Sequence, residues 1–273
     1  MANEFPQAMV IGGSDSDGSA GIQADLHSFF MRGVYGTVAL TAAVAGNSYG
    51  IHDSVTLPLP FIAKEFDVLA DDLKIRATKT GMLADADLIN VVADKLEQYD
   101  FGQLVLDPVI VTKHGALLLE SAAFETLKKR LIPIATVMTP NFYEAEHIVD
   151  RKLTSKEEIA DAARELQQMG AKNIMIKGER REGAETVDDY VLLESGKTFW
   201  LPAPFYDTDR RNGTGDTVSA VIAAELAKGN DVESAIRLAR AFVTEAIGHP
   251  IAVGHKYGPI NHWANEPQRP QNN

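Results

Sequence analysis

The sequence predicts a three-layer α/β/α fold, in which helices cover both faces of a central, mostly parallel sheet. Short apolar runs alternate with helix-length amphipathic segments, no linker or repeat interrupts this alternation, and polar motifs follow the apolar runs. Strands that alternate with helices form βαβ units, whose parallel strands are buried on both faces. We expect one domain over residues 1–265 and a disordered tail, rich in Pro, Gln and Asn, over residues 266–273.

Six apolar runs are the predicted strands. They are Ala8–Gly12, Val38–Ala45, Leu104–Leu106, Thr136–Met138, Asn173–Ile176 and Tyr190–Leu193. Seven longer segments have the apolar spacing of amphipathic helices. They are Ile22–Arg32, Pro60–Leu69, Ala86–Tyr99, Ser121–Leu131, Ser155–Met169, Thr217–Ala227 and Val232–Ala246. Thr154 or Ser155, with the acids at positions 157 and 158, predicts a capped start for the fifth helix.

The composition argues against several classes of function. The chain has 26 Lys and Arg against 38 Asp and Glu, a net charge of -12, so we expect no nucleic-acid binding. The absence of cysteine excludes disulfides, thiolate metal sites and a cysteine nucleophile, and the seven histidines lack metal-ligand spacing. Because no run reaches transmembrane length and residues 1–7 lack a signal-peptide pattern, we expect a cytoplasmic protein without membrane contact.

The segment Asn212-Gly213-Thr214-Gly215-Asp216 leads into a predicted helix and indicates a phosphate site beside a base. Glycine allows backbone N–H groups to turn toward one point, and the first turn of a helix leaves its N–H groups unpaired. These donors attract an anion. An aspartate there is explained if it takes a proton from a hydroxyl group that attacks the phosphate. We therefore predict phosphoryl transfer with catalytic residues Gly213, Thr214, Gly215 and Asp216.

Polar motifs follow most of the predicted strands. They are Gly12-Gly13-Ser14-Asp15, Ala45-Gly46-Asn47-Ser48, Asp107-Pro108-Val109, Thr139-Pro140-Asn141 and Lys177-Gly178. Each motif alone is explained by a turn or a helix cap. Ligands of open α/β sheets, however, bind outside the carboxyl ends of the strands, so the motifs together predict one site there.

Two further motifs resemble nucleotide-binding loops but lack required residues. Residues 194–198 end like a Walker A loop, yet Val191 stands where the first glycine belongs, and a hairpin turn is the better interpretation. Residues 13–21 are rich in glycine without the GxGxxG order, so a dehydrogenase ranks last among the alternatives. Residues 213–216 are therefore the strongest candidate for the phosphate site.

Several motifs occur in the order of one known family. They are Ile11 to Leu26, Lys79-Thr80-Gly81-Met82-Leu83, Asp107-Pro108-Val109, Thr139 to Ala145, Lys177-Gly178, Gly213 to Asp216 and Gly258-Pro259. With them the chain resembles the hydroxymethylpyrimidine kinase/pyridoxal kinase branch of the ribokinase-like superfamily. The resemblance implies a ribokinase-like fold and ATP-dependent phosphorylation of a hydroxymethyl group on an aromatic nitrogen heterocycle. It also implies Mg2+ and a homodimer, and it is compatible with a monovalent cation such as K+.

The resemblance further implies a role for each site residue. Asp15, Ala20, Gly46, Met82 and Val109 would form the substrate pocket. Lys177, Gly178, Asn141 and Thr214 would bind ATP, and Glu144, Asn141 and Asp107 would form the metal site. Residues 46–51 and 177–186 are predicted lid segments, because they are polar, contain glycine and follow strands.

Two departures from the hydroxymethylpyrimidine kinase pattern bear on the substrate. In that pattern, the motif that corresponds to Gly213–Asp216 usually ends in cysteine and is preceded by histidine. This chain has Asp216 and Asn212 at these two positions. The pattern also has a glutamine that bonds the aminopyrimidine, where this chain has Gly46. We therefore predict a kinase of pyridoxal, pyridoxine or pyridoxamine that acts on the 5'-hydroxymethyl group. The alternatives are a hydroxymethylpyrimidine/phosphomethylpyrimidine kinase of thiamine biosynthesis and an inactive nucleotide- or vitamin-binding sensor.

Overall fold

A nine-stranded sheet runs through the part of the chain that the computed structural model describes, residues 4–110, 121–178 and 183–268. The strands are β1 (Gln7–Asp15), β2 (Tyr35–Asn47), β3 (Gly50–Thr56), β4 (Ala77–Thr80), β5 (Gln103–Leu106), β6 (Val137–Met138), β7 (Asn173–Ile176), β8 (Thr186–Leu192) and β9 (Thr198–Pro204). Their order in the sheet is β3-β2-β1-β4-β5-β6-β7-β8-β9. The six strands from β2 to β7 in this order pair in parallel, and β3, β8 and β9 join the sheet antiparallel.

Helices cover both faces of this sheet. They are α1 (Gly21–Met31), α2 (Leu59–Asp72), α3 (Ala86–Gln98), α4 (Ser121–Arg130), α5 (Phe142–Ile148), α6 (Lys156–Gln168), α7 (Thr214–Ala227) and α8 (Val232–Gly248), with short 3-10 turns at Ile132–Ile134 and His262–Ala264. One apolar core lies between the sheet and helices α2 to α6, and a second lies beneath α1, α7 and α8. The predicted three-layer α/β/α fold is confirmed.

Strand β1 shows why the central strands read as continuous apolar runs. Met9 and Ile11 belong to the first core, whereas Ala8 and Val10 belong to the second. Successive side chains of a strand point to opposite faces, and both faces are covered here. The strand continues to Asp15, three residues beyond the predicted end, and so carries an acidic side chain to the edge of the sheet.

Four elements lie outside the predicted set because each lacks the expected apolar pattern. All seven residues of β3 are exposed, and β9 is an edge strand that contains Pro202 and Pro204. Strand β4 is fully buried but reads Ala-Thr-Lys-Thr. Helix α5 has only seven residues, which is too few for a helical period to be recognised.

The turn and the helix cap that the sequence predicts are both present in the structure. Residues 194–198 lie at the hairpin between β8 and β9, with Gly196 at φ 81°, so the predicted hairpin turn is confirmed. The Ser155 hydroxyl accepts from the Glu158 amide in a capping box at the start of α6. Within the described residues, no helix has the length and apolar character to cross a membrane. One domain over residues 1–265 stays a prediction, and residues 269–273 of the predicted tail lie outside the described residues.

Candidate active site

A cavity of about 400 Å³ opens at the carboxyl ends of β1, β2 and β4. Its lining includes all five residues predicted for the substrate pocket, which are Asp15, Ala20, Gly46, Met82 and Val109. The lining also includes Asp216, the predicted base, which comes from the first turn of α7. The volume lies within the usual range for small-molecule sites. The structure therefore brings the predicted pocket and the predicted base together.

Asp15 lies at the end of β1 and supplies a carboxylate to the cavity. Its Oδ2 accepts hydrogen bonds from the Ala20 amide at 3.1 Å and the Ser19 hydroxyl at 3.2 Å. Burial raises the pKa of Asp15, and the neighbouring Asp17 raises it further. A β-carbon at residue 46 would stand 3.7 Å from Asp15 Oδ1, so this carboxylate borders the space beside Gly46.

Val109 forms part of the cavity in a strained backbone conformation. Its φ angle is 38°, which is an outlier for a β-branched residue. It follows Asp107 and Pro108 at the end of β5. Strained conformations of this kind persist where the surrounding structure fixes them, and they concentrate at binding sites.

The amino end of α7 forms the predicted anion site. Gly213 is its N-cap with φ 79°, and a β-carbon there would collide with the carbonyl oxygen of Ser19. The first helical hydrogen bond runs from the Thr217 amide to the Gly213 carbonyl at 2.9 Å, so the Gly215 and Asp216 amides precede it. Amides in this position are donors for an anion.

The closing motif of the sequence holds this helix start in place. The Asn212 amide donates to the Gly258 carbonyl at 3.0 Å, and the Ile260 amide donates to the Asn212 carbonyl at 3.2 Å. Thr214 donates its hydroxyl to the Arg211 carbonyl at 2.7 Å. Thr214 therefore stabilises the turn before the helix through its side chain.

Two charged residues beside Asp216 have no role in the sequence analysis. Lys79 Nζ donates to Asp25 Oδ2 at 2.8 Å and to Asp216 Oδ1 at 3.1 Å. Burial alone would lower the pKa of Lys79, but the charges of Asp25, Asp216 and Asp107 raise it above its ordinary value. The ammonium group is therefore charged. The signal in the sequence is a charged residue on a buried face, because Asp25 lies between Ile22 and Phe29 on the buried side of α1.

A second, half-buried lysine lies on the other side of the α7 start. Lys177, after β7, pairs with Asp107 Oδ1 at 3.1 Å, and the Ser219 hydroxyl donates to Asp107 Oδ2 at 3.3 Å. Burial would lower the pKa of Lys177, but the charges of Asp107 and Glu144 raise it. A β-carbon at Gly215 would stand 3.3 Å from Lys177 Nζ, which places the ammonium group against the predicted anion site.

Glu144 and Asn141 form the start of α5 in this second cluster. The Asn141 side chain accepts from the Glu144 amide at 2.9 Å, and Glu144 Oε2 accepts from the Asn141 amide at 2.7 Å. Glu144 Oε1 accepts from the Ile110 amide at 3.0 Å. Burial raises the pKa of Glu144 to about 7, with Lys177 opposing this shift and Asp107 adding to it. The capping box therefore explains the spacing of these two residues.

The carboxylates near Lys177 fit a Mg2+ ion that keeps several waters and binds the substrate phosphates. Among the described residues, no three His, Asp or Glu side chains group to hold a metal ion by themselves. Mg2+ usually takes only one or two carboxylates, keeps several waters and binds substrate phosphates. Asp107 and Glu144 are two carboxylates that both interact with Lys177, so they fit such a site.

Gly178, a predicted ATP-binding residue, lies outside the cavity lining. Gly178 packs against β8, where its amide donates to Asp189 Oδ1 at 2.8 Å and a β-carbon would collide with the Asp188 carbonyl. Of the predicted lids, residues 46–51 lie in the β2–β3 hairpin and border the cavity. Residues 179–182 of the other predicted lid, 177–186, lie outside the described residues.

The fold and the site together define a kinase of the ribokinase-like type. The chain belongs to the phosphomethylpyrimidine kinase family, whose model matches residues 15–261. A curated relative, the hydroxymethylpyrimidine/phosphomethylpyrimidine kinase of Haemophilus influenzae, is 45% identical over 260 residues, which cover 94% of this chain and 97% of the relative.

Solved structures of the same fold include pyridoxal kinases. An ADP complex of the Bacillus subtilis pyridoxal kinase has a TM-score of 0.88 at 34% identity and covers 96% of this chain and 98% of its own. The Staphylococcus aureus pyridoxal kinase in complex with AMP-PCP and pyridoxal has a TM-score of 0.87 at 31% identity, with coverage of 96% and 94%. The chain is thus a phosphotransferase, and its relatives differ in the heterocycle that they are named for.

Proposed function

We propose that this chain is an ATP-dependent kinase of hydroxymethylpyrimidine and of its phosphate. The observation that carries the proposal is the cavity in which the Asp216 carboxylate lies between a pocket for a small heterocycle and the amino end of α7. The substrate assignment draws on the Haemophilus influenzae relative, which is named for these two substrates. The comparisons therefore favour the alternative of the sequence analysis over its first choice, a vitamin B6 kinase.

Each group has a chemical task in this reaction. Asp216 accepts the proton of the substrate hydroxyl as its oxygen bonds to the γ-phosphorus of ATP and the bond to ADP breaks. The amides at the start of α7 stabilise the charge on the phosphoryl oxygens. Lys177, with Asn141, Thr214 and Gly178 nearby, binds ATP. Asp107 and Glu144 would hold Mg2+, which when bound neutralises charge on the phosphates.

Asp15 offsets the missing side chain at Gly46. The sequence argument against a pyrimidine substrate was that glycine cannot accept a hydrogen bond from an amino group. The Asp15 carboxylate borders the same space, 3.7 Å from where a β-carbon of residue 46 would stand. A carboxylate is a stronger acceptor than an amide oxygen, so Asp15 takes over recognition of the amino group in this proposal.

Pyridoxal is the second candidate substrate. It is favoured by Gly46, which leaves room beside the ring, and by the likeness to pyridoxal kinases at a TM-score of 0.88. A homodimer, a cytoplasmic location and a requirement for K+ stay predictions of the sequence.

Coupled ADP-release assays with hydroxymethylpyrimidine and with pyridoxal test the proposal. We expect turnover with both the free pyrimidine and its phosphate, and a kcat/KM at least tenfold higher for the pyrimidine than for pyridoxal. A preference for pyridoxal would reinstate the vitamin B6 kinase. No turnover with any of the three would support the sensor.

A further inference from the structure

Lys79 joins the predicted base to a second, deeper carboxylate. The Lys79 and Asp25 side chains are 0% and 1% exposed, whereas the Asp216 side chain is 22% exposed toward the cavity. The Lys79 ammonium group contacts only one oxygen of Asp216, Oδ1. Gly81 leaves space for this arrangement, because a β-carbon there would stand 3.3 Å from Lys79 Nζ.

Asp25 is the buried carboxylate nearest to the Lys79 ammonium group. In the described part of the chain, its Oδ1 is buried without a hydrogen-bond partner, and Oδ2 accepts from Lys79. A buried, unpaired carboxylate oxygen is costly, and an apolar residue at position 25 would avoid that cost but would remove the nearer of the two carboxylates that pair with Lys79. Burial raises the pKa of Asp25 to about 8, and the charge of Lys79 opposes this shift. The pairing is explained if Asp25 shares the Lys79 ammonium group with Asp216.

We propose that Lys79 and Asp25 are positioning residues that orient the Asp216 carboxylate and balance the charge around it. This inference rests on the proposed role of Asp216 as the base. Lys79 fixes Oδ1 and stabilises the ionised form, while Asp25 weakens that stabilisation by sharing the ammonium group. Asp216 is thereby held in the orientation from which it accepts a proton from an alcohol.

Other charged groups near Asp216 come from every side of α7. Asp107 after β5 and Lys177 after β7 interact electrostatically with the cluster, and Asp15 at the end of β1 borders the same cavity. His262 contacts Thr217 on the other side of the helix start, near His27 of α1. Burial lowers the pKa of His262 to about 4, so it is neutral over the working range.

The two positioning residues have opposite predicted effects on the pH profile. In Lys79→Met, Asp216 loses a cation at hydrogen-bond distance, so the acidic limb of kcat/KM moves up by about one pH unit or more. In Asp25→Asn, Lys79 loses one of its two counter-charges and interacts more strongly with Asp216. The acidic limb therefore moves down, and kcat falls several-fold. If the two residues served only to stabilise the fold, their variants would not shift the acidic limb in opposite directions.

The experiment measures pH profiles of kcat/KM together with the 13C titration of the Asp216 side chain in Asp-labelled protein. Because Lys79→Met leaves Asp25 buried and unpaired, the double variant Lys79→Met/Asp25→Asn serves if the single variant does not fold. We expect its midpoint for Asp216 to lie above that of the parent protein.

Unmoved midpoints, or midpoints that move in the same direction in Lys79→Met and Asp25→Asn, would overturn the inference. The carboxyl titration separates this failure from that of the proposed function. If Asp216→Asn keeps full turnover, the base role is wrong, but opposite shifts of the Asp216 signal would still establish the electrostatic coupling.

Discussion

Two lysines, one buried and one half-buried, flank the start of α7, and their surroundings differ. Lys79 lies within β4, is fully buried and makes ion pairs with two carboxylates, Asp25 and Asp216. Lys177 follows β7, is 15% exposed and has one ion pair within 4.0 Å in the described residues, to Asp107. The second carboxylate near Lys177 is Glu144, whose two oxygens accept from backbone amides instead.

The difference indicates a division of tasks between two similar clusters. The Lys79 ammonium group donates to two carboxylates, one of them Asp216, so it suits the control of that acid. The Lys177 ammonium group lies against the amide donors of Gly215 and Asp216, so it suits a phosphate that arrives with the nucleotide. One helix start therefore serves proton transfer on one side and phosphate binding on the other.

The largest expected effect is that of Asp216→Asn. An amide cannot take the hydroxyl proton, so we expect kcat to fall by on the order of 10²-fold or more, while the Kd for ATP changes little. Steady-state turnover and nucleotide titration measure the two quantities. Asp87→Asn is the matched control, since Asp87 is an exposed acid in the first turn of α3 and should leave both unchanged.

Lys177→Met is expected to act on nucleotide binding. Loss of a charge-assisted contact to phosphate costs about 1.5–3 kcal/mol, so KM for ATP should rise by roughly tenfold or more. The acidic limb of the pH profile should shift less than in Lys79→Met, because the Lys177 ammonium group pairs with Asp107 whereas that of Lys79 donates to Asp216. Lys172→Met, at an exposed lysine before the same strand, is the control. An unchanged KM for ATP would remove Lys177 from the nucleotide site.

The two glycines of the anion motif should separate folding from catalysis. In Gly213→Ala, the positive φ and the collision with Ser19 should lower the free energy of unfolding by about 1 kcal/mol or more. In Gly215→Ala, the new methyl group meets side-chain atoms alone, Lys177 Nζ at 3.3 Å and Asp107 Oδ2 at 3.8 Å, so stability should hold while kcat/KM falls several-fold. Urea denaturation beside the kinetic assay distinguishes them, and equal losses of stability would contradict this comparison.

The smallest expected effect concerns Glu144 and pH. Burial raises its pKa from 4.5 to about 7, so the folded chain binds this proton more tightly than the unfolded chain. Stability from this group is therefore present below pH 4.5 and is lost as the pH rises through about 7. The destabilisation by Glu144→Gln should shrink by about 1 kcal/mol or more between pH 5 and pH 8. Urea denaturation at both pH values measures it; growth of the difference with pH would be the opposite result.

Sequence reasoning reached the site where its residues sit in motifs after apolar strands. Asp15, Gly46 and Val109 were placed correctly at one rim because parallel strands end at the same edge of the sheet. Lys79 and Asp25 were missed because their strand and helix positions bury charges where the pattern expects apolar side chains. Their pairing joins residues 54 positions apart, which no local pattern reveals.

The substrate was the other point that sequence reasoning could not fix. Gly46 argued for pyridoxal as long as the residue was considered alone. In the structure, the neighbouring Asp15 carboxylate borders the space that a side chain at position 46 would occupy. Specificity thus depends on which side chains surround a space, and spacing along the chain does not contain that information.

The division of tasks between the two lysines is tested most directly by one set of kinetic measurements. Turnover of hydroxymethylpyrimidine is followed against pH and against ATP concentration in the parent protein, Lys79→Met/Asp25→Asn and Lys177→Met. We predict that the acidic limb moves upward further in the Lys79 double variant than in the Lys177 variant, and that KM for ATP rises only in the Lys177 variant. The account is contradicted if Lys177→Met shifts the acidic limb as far as the Lys79 double variant does, or if the double variant raises KM for ATP as much as Lys177→Met does.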